Sequence, residues 1–182
     1  MSKIGRKPIQ IRDVHVTVNG QTITYKGKRD SGSYVLPQEL EAVLEGDELI
    51  IKPSPKGAPM REINRIWGLH RALLGSKIQG ARADFEKQIE IIGLGYKAAV
   101  TGKKIVFSLG YSHKIDFELP DNVVVETDKT GQLLTVKSPS KDLVGQVCSN
   151  IKALRKPEPY KGTGIKFKTE TILRKAGKTK SS

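Results

Sequence analysis

From Arg155 to Lys168 the chain reads Arg-Lys-Pro-Glu-Pro-Tyr-Lys-Gly-Thr-Gly-Ile-Lys-Phe-Lys. These residue types suit one chemistry, the grip of a polyanion. Arg155, Lys156, Lys161, Lys166 and Lys168 offer cations to phosphate. Gly162 and Gly164 let the backbone approach a phosphate closely and leave amide N–H groups free to donate. Tyr160 either stacks on an exposed base or packs against its own domain. Pro157 and Pro159 stop any preceding helix, and the alternation Ile165-Lys166-Phe167-Lys168 predicts a last strand with its lysines on one face. Beyond it, Arg174, Lys175 and Lys178 stand in a basic, small-residue tail that is expected to order only on a partner. Lys3, Arg6 and Lys7 form a second basic group at the other end.

Other chemistries find less support. His15, His70 and His113 share no ligand spacing, and the lone Cys148 lies on the apolar face of a helical pattern, so no metal site is expected. No Gly-x-Ser-x-Gly nucleophile motif occurs, and the carboxylates mostly alternate with bases as on solvated faces. Gly93-Leu94-Gly95-Tyr96-Lys97-Ala98 matches a dinucleotide fingerprint in letters. The fingerprint needs its glycines to open a helix, whereas Ala99-Val100-Thr101-Gly102 continues into a strand. A glycine bulge or a close approach of strands is the expected reading, with no catalytic residues, cofactor or small-molecule substrate.

Charge arithmetic agrees with the polyanion reading. The 182 residues carry a formal net charge of +13. Residues 1–12 contribute +4, residues 152–182 contribute +8, and the long stretch between them only +1. A neutral body with basic ends points to a polyanion, since each phosphate neutralised releases counterions. The longest apolar stretches are a few residues, so no membrane span is expected. No apolar core follows Met1-Ser2-Lys3, so no secretory signal is expected; one cysteine excludes an internal disulfide and fits a reducing cytosol.

The elements that hold these residues come in two copies. Val18-Asn19-Gly20-Gln21-Thr22-Ile23 and Val100-Thr101-Gly102-Lys103-Lys104-Ile105 each predict a β-hairpin around a glycine turn. Tyr34-Val35-Leu36-Pro37 then parallels Phe117-Glu118-Leu119-Pro120, and Leu49-Ile50-Ile51-Lys52-Pro53-Ser54-Pro55-Lys56 parallels Leu134-Thr135-Val136-Lys137-Ser138-Pro139-Ser140-Lys141. Each copy closes on an amphipathic helix. Ile63, Ile66, Trp67, Leu69, Leu73 and Leu74 are expected along one face in the first; Val144, Val147, Cys148, Ile151 and Leu154 form it in the second. The run Gly75–Gly80 is expected to end the first helix, and the loop Gly57-Ala58-Pro59-Met60 is an insertion peculiar to the first copy. The fold class is α+β: two similar domains from an internal duplication, each a small antiparallel sheet covered by one helix, spanning residues 1–81 and 82–182.

Across nearly its whole length the sequence resembles the bacterial L-six family of large-ribosomal-subunit proteins. The resemblance rests on Ser2-Lys3-Ile4-Gly5-Arg6-Lys7-Pro8-Ile9, Ile92-Gly93-Leu94-Gly95-Tyr96-Lys97-Ala98, Ser108-Leu109-Gly110-Tyr111-Ser112-His113 and the run from Gly145 to Arg155. Its most specific motif is Pro157-Glu158-Pro159-Tyr160-Lys161-Gly162-Thr163-Gly164-Ile165. The family usually has Lys between those glycines, so Thr163 removes one potential phosphate contact. The resemblance implies a cytoplasmic, ribosome-bound structural protein without catalytic activity that binds 23S rRNA through its C-terminal domain. It also implies a place beside the sarcin–ricin region and stalk base, with neighbouring ribosomal proteins as partners and translation GTPase factors docking nearby. Two other readings stand beside it: a basic adaptor for an acidic protein, and an RNA-directed, nucleotide-dependent enzyme built on the glycine run at Gly93.

Overall fold

In the computed structural model, which describes residues 2–54 and 60–177, alternating apolar and polar residues become strand in both repeats. The first repeat runs β1 (Ile9–Gln10), β2 (His15–Asn19), β3 (Thr22–Lys26), β4 (Ser31–Val35), β5 (Leu40–Glu45), β6 (Glu48–Pro53) and helix α1 (Met60–Arg82). The second runs β7 (Phe85–Ile92), β8 (Lys97–Thr101), β9 (Lys104–Ser108), β10 (Ile115–Glu118), β11 (Val124–Thr127), β12 (Leu133–Ser138) and helix α2 (Lys141–Leu154), then adds β13 (Gly164–Phe167). The chain passes from the first compact unit to the second between Asp84 and Phe85, with Pro139–Lys141 grouped with the first.

Topology confirms the duplication. The meander β2-β3-β4 of the first unit corresponds to β8-β9-β10 of the second, and the sheet β1-β6-β5 corresponds to β7-β12-β11. Every pairing is antiparallel. Gly20 and Gly102, at φ 62° and 61°, occupy the same hairpin turn in the two copies, where a Cβ would be strained. The second unit adds a strand: β13 pairs with the free edge of β7, with Ile165 opposite Ile91 and Phe167 opposite Ile89.

Each unit has its own core, filled from equivalent positions. Ile23, Leu36, Leu49 and Ile51 are buried in the first; Ile105, Leu119, Leu134 and Val136 take their places in the second. Burying such side chains stabilises by about 1.5–3 kcal/mol each. In the first unit Trp67 closes the core, and its Nε1–H donates to the Ile51 carbonyl at 2.8 Å. Gly5 lies against that ring so closely that a Cβ would stand 2.6 Å from it, so the N-terminal segment is packed rather than loose.

Two expectations about α1 need correction. Ile63, Trp67, Leu74, Ile78 and Ala81 form its buried face, whereas Leu69 and Leu73 are 54% and 38% exposed. At about 100° per residue, position 69 falls about 200° round the helix from Trp67, so apolar spacing alone misplaced it. Nor do the glycines of Gly75–Gly80 end the helix, which continues to Arg82. Both sit within a length of helix whose buried residues Ile78 and Ala81 hold it onto the sheet. The loop preceding Met60 lies outside the described residues.

In α2, Val144, Val147, Cys148 and Ile151 are buried as the spacing predicts. Burial pushes the Cys148 thiol up to about 11. A thiol reagent at neutral pH should therefore leave Cys148 intact until denaturant opens the second unit, so that labelling tracks unfolding. Labelling of the native protein at the rate of a free thiol would show that Cys148 is not in this core.

Candidate nucleic-acid interface

The turn from α2 into β13 is a closed loop. The Glu158 amide donates to the Thr163 carbonyl at 2.9 Å, and the Gly162 amide donates to the Glu158 carbonyl at 3.0 Å. The Thr163 hydroxyl donates to Glu158 Oε2 at 3.1 Å, so this residue ties the loop together rather than extending a cation outward. The expectation of a free Gly162 amide is thus corrected: the loop's own carbonyl already uses it. Gly164 serves packing, since a Cβ there would lie 2.7 Å from the Lys156 carbonyl oxygen and from the Pro157 Cα.

β13 would otherwise be an exposed sheet edge, with unpaired amides inviting another strand. Its outward amides are instead taken. Ile165 N–H donates to the Arg155 carbonyl at 2.9 Å, and Phe167 N–H donates to Glu170 Oε2 at 3.3 Å. Lys152 Nζ holds the same carboxylate through both oxygens at 2.7 Å. The Lys152 hydrogen bond, assisted by the Phe167 amide, holds the Glu170 carboxyl below its ordinary value of 4.5.

Arg155 is half-buried and engaged by its own domain. Its guanidinium stands 5.2 Å from the Tyr96 ring centroid and 4.9 Å from that of Tyr111, and Nη1 donates to the Leu109 carbonyl at 2.8 Å. Tyr111 Oη donates in turn to the Leu154 carbonyl at 3.1 Å. Two such cation–π contacts contribute about 0.5–2 kcal/mol each. The glycine run at Gly93 belongs to this cluster: it turns β7 into β8, and a Cβ on Gly93 would fall 2.5 Å from the Tyr96 ring. Gly93 makes room for an aromatic ring, and the run opens no helix.

The remaining candidates divide into paired and presented cations. Lys166 of β13 pairs with Glu90 of β7 at 3.0 Å, and Lys168, just beyond β13, donates to Gln88 Oε1 at 2.9 Å. Lys156 and Lys161 are exposed, and Tyr160 is 56% exposed, so it does not pack against the domain. The tail folds back on this turn. The Lys175 amide donates to the Pro159 carbonyl at 2.9 Å, and the Arg174 guanidinium lies over Gly162. Order through Lys175 therefore comes from the domain itself, contrary to the expectation that a partner supplies it. Lys156, Tyr160, Lys161, Arg174 and Lys175 are brought together; Lys178 lies outside the described residues.

Lys3, Arg6 and Lys7 sit on the first unit, exposed on a segment that is firmly held. The Ser2 amide donates to Asn64 Oδ1 at 3.1 Å, and Arg71 donates to the Lys7 and Pro8 carbonyls at 2.9 and 2.7 Å. Sequence reasoning missed two residues of the second unit, Lys87 and Lys152, whose ammonium groups lie 5.4 and 5.0 Å from the Phe167 ring centroid. The parity of Lys87 with Ile89 and Ile91 along β7 was the available signal. Among the described residues no group of three His, Cys, Asp or Glu side chains is placed to hold a metal ion, and no helix is long and apolar enough to cross a membrane.

Two copies of one antiparallel unit, the second extended by an edge strand and a cation-bearing turn, define a duplicated two-domain α+β protein. Residues 92–168 match the model of the family described as Ribosomal protein L6. The large ribosomal subunit protein uL6 of Syntrophomonas wolfei is 41% identical, covering 98% of this chain and 98% of its own length. That of Bifidobacterium animalis subsp. lactis is 43% identical over 97% of both chains, and that of Azorhizobium caulinodans 42% identical over 99% of this chain and 100% of its own. The chain belongs to the ribosomal protein L6 family, a family of large-subunit ribosomal proteins and not of enzymes.

The depressed Glu170 carboxyl yields a signed expectation. A group whose folded value lies below its unfolded one stabilises fully above the unfolded value, 4.5, and loses that contribution as pH falls through the lowered one. Glu170→Gln should thus unfold at lower urea than wild type at neutral pH, with the difference shrinking as pH falls below 4.5. Equal midpoints at neutral pH would show that the Lys152–Glu170 clamp contributes nothing.

Proposed function

We propose that the protein is a scaffold of the large ribosomal subunit whose second domain grips 23S rRNA through the α2–β13 turn and its folded-back tail. Membership of the L6 family makes rRNA and other ribosomal proteins its partners. The observation that carries the finer reading is that exposed Lys156, Tyr160 and Lys161 stand on one hydrogen-bonded turn, against which the tail bearing Arg174 and Lys175 folds back. Rigid cations bind phosphate without losing the entropy of ordering a loop, and they read backbone shape rather than base sequence. The family resemblance adds a location beside the sarcin–ricin region and stalk base, near docking translation GTPases, in the cytoplasm. Lys3, Arg6 and Lys7 give the first domain a smaller, separate cationic surface that supports a subsidiary contact. The domains that carry these two surfaces are residues 1–81 and 82–182, the first with the basic arm.

If about six of the C-terminal cations meet phosphate, affinity for large-subunit rRNA should fall roughly three decades between about 50 and 200 mM salt, as read by filter binding. Lys156→Ala with Lys161→Ala should lower the slope of log affinity against log salt by about 1.8, while Lys26→Ala with Lys28→Ala leaves it unchanged. Thr163→Lys should raise it by about 0.9. A flat salt response would sink the phosphate grip. A larger loss from the first-domain pair would move the site to that domain.

A further inference from the structure

Beside the turn, the end of β13 leaves a notch in its sheet. The pairing of β13 with β7 stops at Phe167 opposite Ile89, although β7 begins four residues earlier at Phe85. The Lys168 amide still reaches the Gln88 carbonyl at 3.0 Å, and beyond it the chain turns away. Along β7 the residues facing β13 alternate as Ile92, Glu90 and Gln88, since Ile91 donates to Gln132 on the opposite side. Glu86 is next in that series, and no residue of β13 stands opposite it. Its backbone N–H and C=O therefore open side by side into the gap.

Two adjoining hollows lie here, about 580 and 420 Å³, and Phe167 lines both. The ring is half-buried, fixed by its strand, and flanked by the Lys87 and Lys152 ammonium groups. Lys152 is committed to Glu170. Lys87 and Lys156 have no carboxylate partner among the described residues. The notch thus combines an aromatic face, an edge donor with an edge acceptor, and two cations free to move toward a phosphate.

We infer that this notch is a binding site for one unstacked nucleotide of RNA. The base lies on Phe167 and bonds the Glu86 backbone by its edge, and the adjoining phosphates meet Lys87 and Lys156. A base edge carries a donor and an acceptor side by side, so the site accepts several bases, and stacking rather than hydrogen bonding supplies most of the affinity. On binding, Lys87 exchanges the ring for a phosphate and the base takes its place. A protein ligand fits less well, because nothing in the notch offers a deep apolar pocket for a side-chain anchor. The inference rests on the rRNA-scaffold reading and names a contact within it.

The test compares wild type, Phe167→Leu and Phe167→Tyr for affinity to large-subunit rRNA, with Cys148 protection reporting that each is folded. Phe167→Leu should bind about 10-fold more weakly and Phe167→Tyr within about 2-fold of wild type. Lys87→Gln with Lys156→Gln should lower the salt slope by about 1.8. In wild type, AMP should shift the NMR resonances of the Phe167 ring, and ribose 5-phosphate should not. Equal rRNA binding by folded Phe167→Leu and wild type overturns the notch and leaves the scaffold standing. Ring shifts from ribose 5-phosphate equal to those from AMP overturn it as well. AMP shifts without any Phe167 effect on RNA would make the site one for free nucleotides, against this inference. Wild type that holds no rRNA sinks the scaffold reading itself.

Discussion

The second domain depends on closing a sheet edge. A strand such as β7, buried on one face and unpaired along one side, presents amides and carbonyls that need partners. β13 supplies them, and then needs partners of its own. The Arg155 carbonyl and the Glu170 carboxylate meet its outward amides, and Lys152 fixes the carboxylate. The chain can make these bonds only if α2 ends at Leu154 and the next nine residues return in a closed turn. Pro157, Gly162 and Gly164 are all read more simply by that requirement than by phosphate chemistry: one stops the helix, one turns the chain, and one lets β13 lie against the Lys156–Pro157 backbone. Edge closure thereby brings the exposed cations of the turn to a fixed place.

Duplication sets what could be varied. The two meanders and the two three-stranded sheets share one topology, and the equivalent core positions hold residues of similar size. A closely packed core tolerates little change of volume, so the divergence lies at the ends and edges. The first copy packs its basic N-terminal segment under Trp67 and anchors it through Arg71. The second adds β13 and the tail. Both place cations on a firmly held segment.

The sequence made some of this legible. Hairpins with Asn-Gly and Thr-Gly turns, the order of elements and the inward face of α2 follow from local periodicity, which acts over a few residues. Leu69 and Leu73 were misplaced because several apolar residues on a helix fit more than one face until a sheet selects it. The contacts that Arg155 and Lys166 make within the domain were not legible, because a cation in a basic run carries no mark of its partner. Their partners, Tyr96, Tyr111 and Glu90, lie tens of residues away in sequence. The notch at Glu86 was invisible for the same reason, since it depends on the register between β7 and β13.

The internal pairing of so many lysines also shapes the electric field. Lys103–Asp121, Lys104–Glu118, Lys137–Glu126 and Lys166–Glu90 join neighbouring segments of the second domain, mostly at exposed positions. Such pairs contribute at most about 1 kcal/mol each, so stability does not account for them well. Their larger effect is to cancel charge over the sheet faces. Within that domain, cations with no carboxylate in reach include Lys156 and Lys161 on the α2–β13 turn, Arg174 and Lys175 on the tail and Lys87 at the rim of the notch. At physiological salt the field decays over about 8 Å, so an evenly spread net charge would steer an approaching polyanion to no particular face. Pairing across the sheet faces of the second domain therefore leaves more of its local charge to the turn and tail. The acidic residues of the body thus help to aim the basic ones.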